Sequence, residues 1–189
     1  MSIGQLCCKL LFAVMFSGTV LSSALAREWK PTAARIASDY AEIVHAKSKT
    51  DFVRIKWWAE PIFTLGTPIA GLLRTYILIS VIHFHIDPPS GTLSTEYIDE
   101  LEVRDSSGTP LAPVARDAMP PVLIGTLTSI ETSVRQSAGR LAQGYKFFVF
   151  DAGKVRACEN GRIVVPLAGE TYTWETPFPG CSKLSSEAR

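Results

Sequence analysis

The sequence predicts one α+β domain, an antiparallel β-sheet covered by two amphipathic helices. Three observations carry that prediction. Residues 74–87, RTYILISVIHFHID, form a long β-branched run in which both alternating sets are apolar over most of their length. A strand of that kind is central and covered on both faces. Residues 30–47 and 120–142 repeat apolar side chains at three and four positions, the period of a helix with one buried face. Residues 145–151, YKFFVFD, are too apolar on both faces for an edge strand. The alternative architecture is an immunoglobulin-like β-sandwich with the helices added, which the VRDSSGTPLAP segment and Tyr172 would suit.

Taken from the start, residues 1–26 read as a signal peptide. Lys9 gives a weak positive start, residues 10–21 an apolar core, and Ala24-Leu25-Ala26 an A-x-A cleavage pattern. The core falls short of the ~18–20 residues that a membrane span needs. Cys7 and Cys8 precede it, whereas a lipid-bearing cysteine would follow it. Cleavage leaves about 163 of the 189 residues, an ordinary size for one domain. The domain is expected over 31–181, with a disordered tail at 182–189.

The next apolar region, residues 61–86, is broken by Gly66, Pro68, Gly71 and Arg74. A charge at mid-bilayer costs on the order of 3 kcal/mol, so no integral membrane segment is expected after cleavage. The formal net charge is +1, and losing Lys9 brings it to zero, with no basic block or stripe left. The electrostatic footprint of a nucleic-acid or anionic-membrane binder is therefore absent. Only Cys158 and Cys181 remain in the mature chain. An even pair in an exported protein, without any C-x-x-C, is expected to form a disulfide. The loop it closes would stabilise the fold by roughly 3 kcal/mol in the chain-entropy model.

Along the domain, residues 30–47 predict the first helix, with Pro31 near its first turn and His45 close to its C-terminal end. Residues 52–59, FVRIKWWA, alternate, putting Val53, Ile55, Trp57 and Ala59 on a buried face. Trp58 must then point the other way, and it is the candidate ligand-stacking residue. Pro61 stops that strand, and Gly66, Pro68 and Gly71 mark a connecting loop. Past the central strand, Pro88-Pro89-Ser90-Gly91 makes a turn. Residues 97–105 predict a strand, and Ser107-Gly108 the turn of a hairpin returning through 111–114. The acidic residues of that strand lack the spacing of a calcium loop.

Pro120-Pro121 opens the second helix, running to about Ala142, with Gly144 just past its end. After the strand at 145–151, residues 155–158 and 162–167 flank Asn160-Gly161, a hairpin signal. Gly169 turns the chain into 170–175, where Tyr172 and Trp174 share a face.

One stretch carries candidate chemistry. His83 and His85 are two apart on a strand, pointing the same way with Cα atoms about 7 Å apart. Two such imidazoles can hold one transition-metal ion, with Asp87 adding an oxygen from the same row. There is no G-x-S-x-G, H-E-x-x-H, G-x-x-x-x-G-K-[ST] or G-x-G-x-x-G motif. The first expectation is therefore an exported non-enzymatic module, periplasmic or extracellular, binding a protein or a small-molecule ligand and needing no cofactor. The second is a metal-binding protein or metalloenzyme centred on His83 and His85.

Overall fold

The structure is a computed structural model that describes residues 27–28, 41–59 and 68–178. The expected signal peptide, residues 30–40 of the expected first helix, Cys181 and the expected tail lie outside the described residues.

The fold is mixed α+β, with strands β1 (Arg27–Glu28), β2 (Glu42–Ala46), β3 (Asp51–Trp58), β4 (Tyr76–Ile86), β5 (Leu93–Glu96), β6 (Lys146–Asp151), β7 (Gly161–Leu167) and β8 (Glu170–Thr176). Its α-helices among the described residues are α1 (Pro68–Thr75) and α2 (Pro121–Ala138). Among the described residues the strands form a five-stranded antiparallel sheet, β2-β3-β4-β5 with β6 also on β4, and a three-stranded sheet, β1-β8-β7. The β1–β8 pairing is parallel.

β4 is the spine, as its double apolar pattern implies. From Ile77 to His83 every residue is buried. Ile77, Ile79 and Val81 join Val53, Ile55 and Trp57 of β3 in one core with Ile163, Val165, Tyr172 and Trp174 of the smaller sheet. Leu78, on the opposite face, packs with Val149 of β6 and with Leu123, Leu127 and Ile130 of α2. The larger sheet thus has the small sheet on one side and the helices on the other. An immunoglobulin-like sandwich is not shown.

Three expectations are corrected here. Among the described residues only one long helix covers the sheet. Residues 42–46 are strand, because Ala41 adopts a φ of 50° that a right-handed helix cannot pass through. β-branched Ile43 and Val44 then suit the ladder with β3, where Ile43 faces Ile55. The supposed loop at Pro68 and Gly71 is instead α1, since proline is tolerated in a first helical turn and Leu73 supplies a buried contact. Residues 97–105 make no strand. Arg104 alone bridges to Pro110 and Val164, although Leu101 and Val103 are buried as on a strand. The turn at 105–109 does form, with Gly108 at φ 84°.

Likewise, residues 155–158 form no strand, and β7 pairs forward with β8 across Ala168-Gly169. Both turn residues have positive φ, 53° and 77°, the backbone of a hairpin turn matched to strand twist.

α2 ends at Gly139, at φ 56°, earlier than expected, and a 3₁₀ turn continues to Gly144. A Cβ on Gly144 would lie 2.4 Å from Thr95 Cγ2 and 2.8 Å from Thr95 Cβ. This close approach seats the turn directly on β5. Gly144→Ala should lower stability by about 1–3 kcal/mol in urea denaturation, with Thr95→Gly in the same chain recovering part of the loss.

Candidate metal centre

Asp51 opens β3 because the preceding turn closes on it. The backbone N–H groups of Lys47 and Ser48 both donate to the Asp51 carbonyl, at 2.8 and 3.2 Å. The register then sets Asp51 opposite His85 and Val53 opposite His83. On the far edge of β4, the turn at 88–91 returns the chain so that Glu96 faces His83 and Ser94 faces His85. Asp51, His83, His85 and Glu96 therefore share one sheet face, at the end of the apolar row Ile77–Ile79–Val81. That face is the one covered by the smaller sheet.

The four imidazole nitrogens are sorted between two carboxylates. His83 Nδ1 lies 2.7 Å from Glu96 Oε2, and His85 Nε2 lies 2.8 Å from Glu96 Oε1. The other nitrogen of each ring turns to Asp51 Oδ1, His83 Nε2 at 2.6 Å and His85 Nδ1 at 3.6 Å. The ring centroids are 4.9 Å apart. Within the described residues, the donor atoms of Asp51, His83 and His85 lie within 4.8 Å of one another. Ligands held at about 2.0–2.1 Å by a tetrahedral zinc ion are separated by roughly 3.3 Å. The two distances to Asp51 bracket that value.

His83 is the floor of the site, only 5 % exposed, whereas the His85 side chain is 36 % exposed and Asp51 22 %. Lys47 Nζ stands at the rim, 3.7 Å from Asp51 Oδ2, and donates to the Ala168 carbonyl at 2.8 Å. Burial pushes the Asp51 carboxyl up, but the His83 hydrogen bond and the charges of His83, Lys47 and His85 outweigh it, holding the group below its ordinary 3.8. A depressed carboxylate contributes stability above its unfolded value and loses it as pH falls through the folded one. Asp51→Asn should therefore flatten the acid limb of the stability profile below about pH 4, read from urea midpoints across pH.

Asp87, expected as the oxygen donor of this row, lies apart from the cluster of Asp51, His83 and His85. The strand ends at Ile86, and Asp87 Oδ2 instead accepts from the Ser90 N–H at 3.3 Å and from the Ser90 hydroxyl. It shapes the turn that delivers Glu96. His45, no longer at a helix end, is buried on β2 with Nδ1 3.2 Å from the Tyr172 hydroxyl. Val53 separates it from His83 in the sheet, a gap of about 10 Å at the usual strand spacing.

Trp58 lies on the opposite, helix-facing side. Its Nε1–H donates to Ser80 Oγ at 2.8 Å, and Lys56 Nζ sits 4.4 Å from the ring centroid. Beside it a shallow cavity of about 560 Å³ runs along Val122, Gly125, Thr126, Ser129, Ile130 and Ser133 of α2. Thr126 and Ser129 turn their hydroxyl hydrogens back to helix carbonyls, leaving an apolar wall. Cys158 is half-buried against the core.

Sequence reasoning missed Asp51 and Glu96. Both are placed by register alone, and register depends on where two turns close. The K-S-K-T segment before Asp51 and P-P-S-G-T before Ser94 were the available signals.

No helix among the described residues is long and apolar enough to cross a membrane. No family model, no curated protein and no solved structure matches the chain.

Proposed function

We propose that this chain is an exported protein that binds one divalent transition-metal ion, of the zinc class, through Asp51, His83 and His85. The observation that carries the proposal is the sorting of imidazole nitrogens. Metal-bound histidines characteristically give their second ring N–H to a carboxylate, which fixes tautomer and ring orientation. Glu96 stands where it can do this for both rings, leaving one nitrogen of each beside Asp51. Two imidazoles and a carboxylate suit zinc and other divalent ions of similar softness. Imidazolium rings hydrogen-bonded to both carboxylates would divide their nitrogens in the same way, and metal uptake is what tells the two arrangements apart.

The non-enzymatic binding module and the metal protein are compatible under this proposal, the ion being the first ligand of the module. Elemental analysis and calorimetric titration of tag-free protein test it. Near-stoichiometric uptake of Zn²⁺ or Co²⁺ is expected, while less than about 0.1 equivalent after reconstitution would remove the proposal.

Export and the Cys158–Cys181 disulfide are proposed from the sequence. Protein recovered from the exported fraction should begin near Arg27, and reduction should add two thiols per chain. Intact mass with and without alkylation checks both.

A further inference from the structure

We infer that the metal ion, once bound, takes an oxyanion as an additional ligand, with one oxygen on the ion and another on Lys47. The inference rests on the proposed metal centre and deepens it by naming the class of molecule the centre accepts.

Three protein donors leave a tetrahedral ion with one position to fill. The three come from two adjacent strands on one sheet face, so that position points away from the sheet. Exposure shows which way the site opens. His83 is sealed on the floor at 5 %, while His85 at 36 % and Asp51 at 22 % reach solvent. Lys47 stands on this open side.

Charge selects the ligand. A divalent ion with one aspartate and two neutral imidazoles carries +1. Lys47, beside the far oxygen of the same aspartate, adds a second positive charge, and Glu96 behind the rings removes one. The centre is left with a net positive charge, its cations at the opening and its second carboxylate behind the rings. A lysine next to a metal-binding carboxylate disfavours the cation itself. The same charge favours an anion placed upon that cation.

Lys47 is also held in place for such a role. Its ammonium has three donors. One is fixed on the Ala168 carbonyl at 2.8 Å, another faces Asp51 Oδ2 at the longer distance of 3.7 Å, and the third is available to a ligand oxygen. The anchor carbonyl belongs to the tight β7–β8 turn, so the small sheet fixes the ammonium beside the opening. A group with two oxygens on one atom, a carboxylate or a phosphate, fits an ion and an ammonium that flank one aspartate. A neutral ligand could accept a hydrogen bond from Lys47 but would gain less than an anion does.

Cobalt-loaded protein provides the test, because the visible spectrum of Co²⁺ reports its coordination sphere. Acetate and inorganic phosphate are titrated separately into the purified, Co²⁺-loaded chain. At least one is expected to change the spectrum saturably, and the arm that saturates at lower concentration identifies the oxyanion type. Lys47→Met should weaken that binding roughly tenfold to a hundredfold, the scale of one charge-assisted hydrogen bond, while Lys47→Arg retains most of it. Equal melting temperatures of the metal-free variants would show that folding is unaffected. Should Lys47→Met melt lower, the Lys47→Arg comparison alone decides, and loss of binding there as large as in Lys47→Met counts against the inference. A Co²⁺ spectrum that neither anion alters, or unweakened anion binding in Lys47→Met, would overturn the inference and leave the metal centre standing. Failure to bind Co²⁺ at all would overturn both.

Discussion

Alanine at His83 is expected to abolish the metal-dependent rise in melting temperature. A ligand that binds only the native state at a hundred times its Kd stabilises by about 2.7 kcal/mol. For a domain of this size each kcal/mol shifts Tm by about 2–4 °C. The wild-type chain should therefore gain roughly 5–10 °C with saturating Zn²⁺. His83→Ala should gain nothing, because it removes the most deeply placed donor.

Baseline stability will also fall in that variant, since Asp51 and Glu96 lose the ring that stands between them. The increment on adding metal is accordingly the quantity to read. Two companions sharpen it. Glu96→Gln keeps all three donors but weakens the hold on both rings, and should cost roughly 10–100-fold in metal affinity. Asp87→Asn preserves the turn contacts and should leave affinity unchanged. Loss of binding in Asp87→Asn with retention in Asp51→Asn would reverse the assignment of the third ligand. Differential scanning fluorimetry with and without Zn²⁺ reads all four variants.

Trp174→Ala is expected to produce the largest loss of stability, about 3–5 kcal/mol. Trp174 is fully buried, faces Ile163 across the β7–β8 hairpin, and belongs to the core shared by both sheets. Its Nε1–H donates to the Ala41 carbonyl at 2.8 Å, and the Trp57 N–H reaches the same oxygen at 3.1 Å. One indole therefore fills the space between the sheets and pins the chain where it enters β2. Against a typical total of 5–15 kcal/mol, the variant should be close to unfolding at 37 °C. Trp174→Phe keeps much of the apolar contact but gives up the hydrogen bond, and should lose less. Urea midpoints of the two variants separate packing from bonding.

The apolar spine was legible in the sequence because its signal is local. Ile77, Ile79 and Val81 on one face with Leu78 and Ile82 on the other leave few places for such a strand except the middle. The β3 alternation and the Tyr172–Trp174 face were readable for the same reason. Residues 41–47 misled because Ile43 and Val44, with Tyr40 and Ala37 before them, keep a helical spacing, and a single backbone angle at Ala41 decides against it. The histidine pair was visible as two residues of one strand. Its carboxylates were not, since each comes from a different neighbouring strand and Asp87, the nearer acid in sequence, is taken up by a turn.

β4 gives its outer edge to two partners in succession, β6 along residues 76–81 and β5 along 83–86. The donor set belongs wholly to the second arrangement and to β3, all between Asp51 and Glu96. Contacts of smaller sequence separation close earlier on average, and Asp51 lies 34 residues from His85, its partner on β4, whereas Lys146 of β6 lies 65 residues from its partner Val81. An ion present while the polypeptide is still assembling would therefore meet a finished set of ligands before the sheet itself is finished. It would act as a clasp on the nascent meander, speeding maturation as well as strengthening its product.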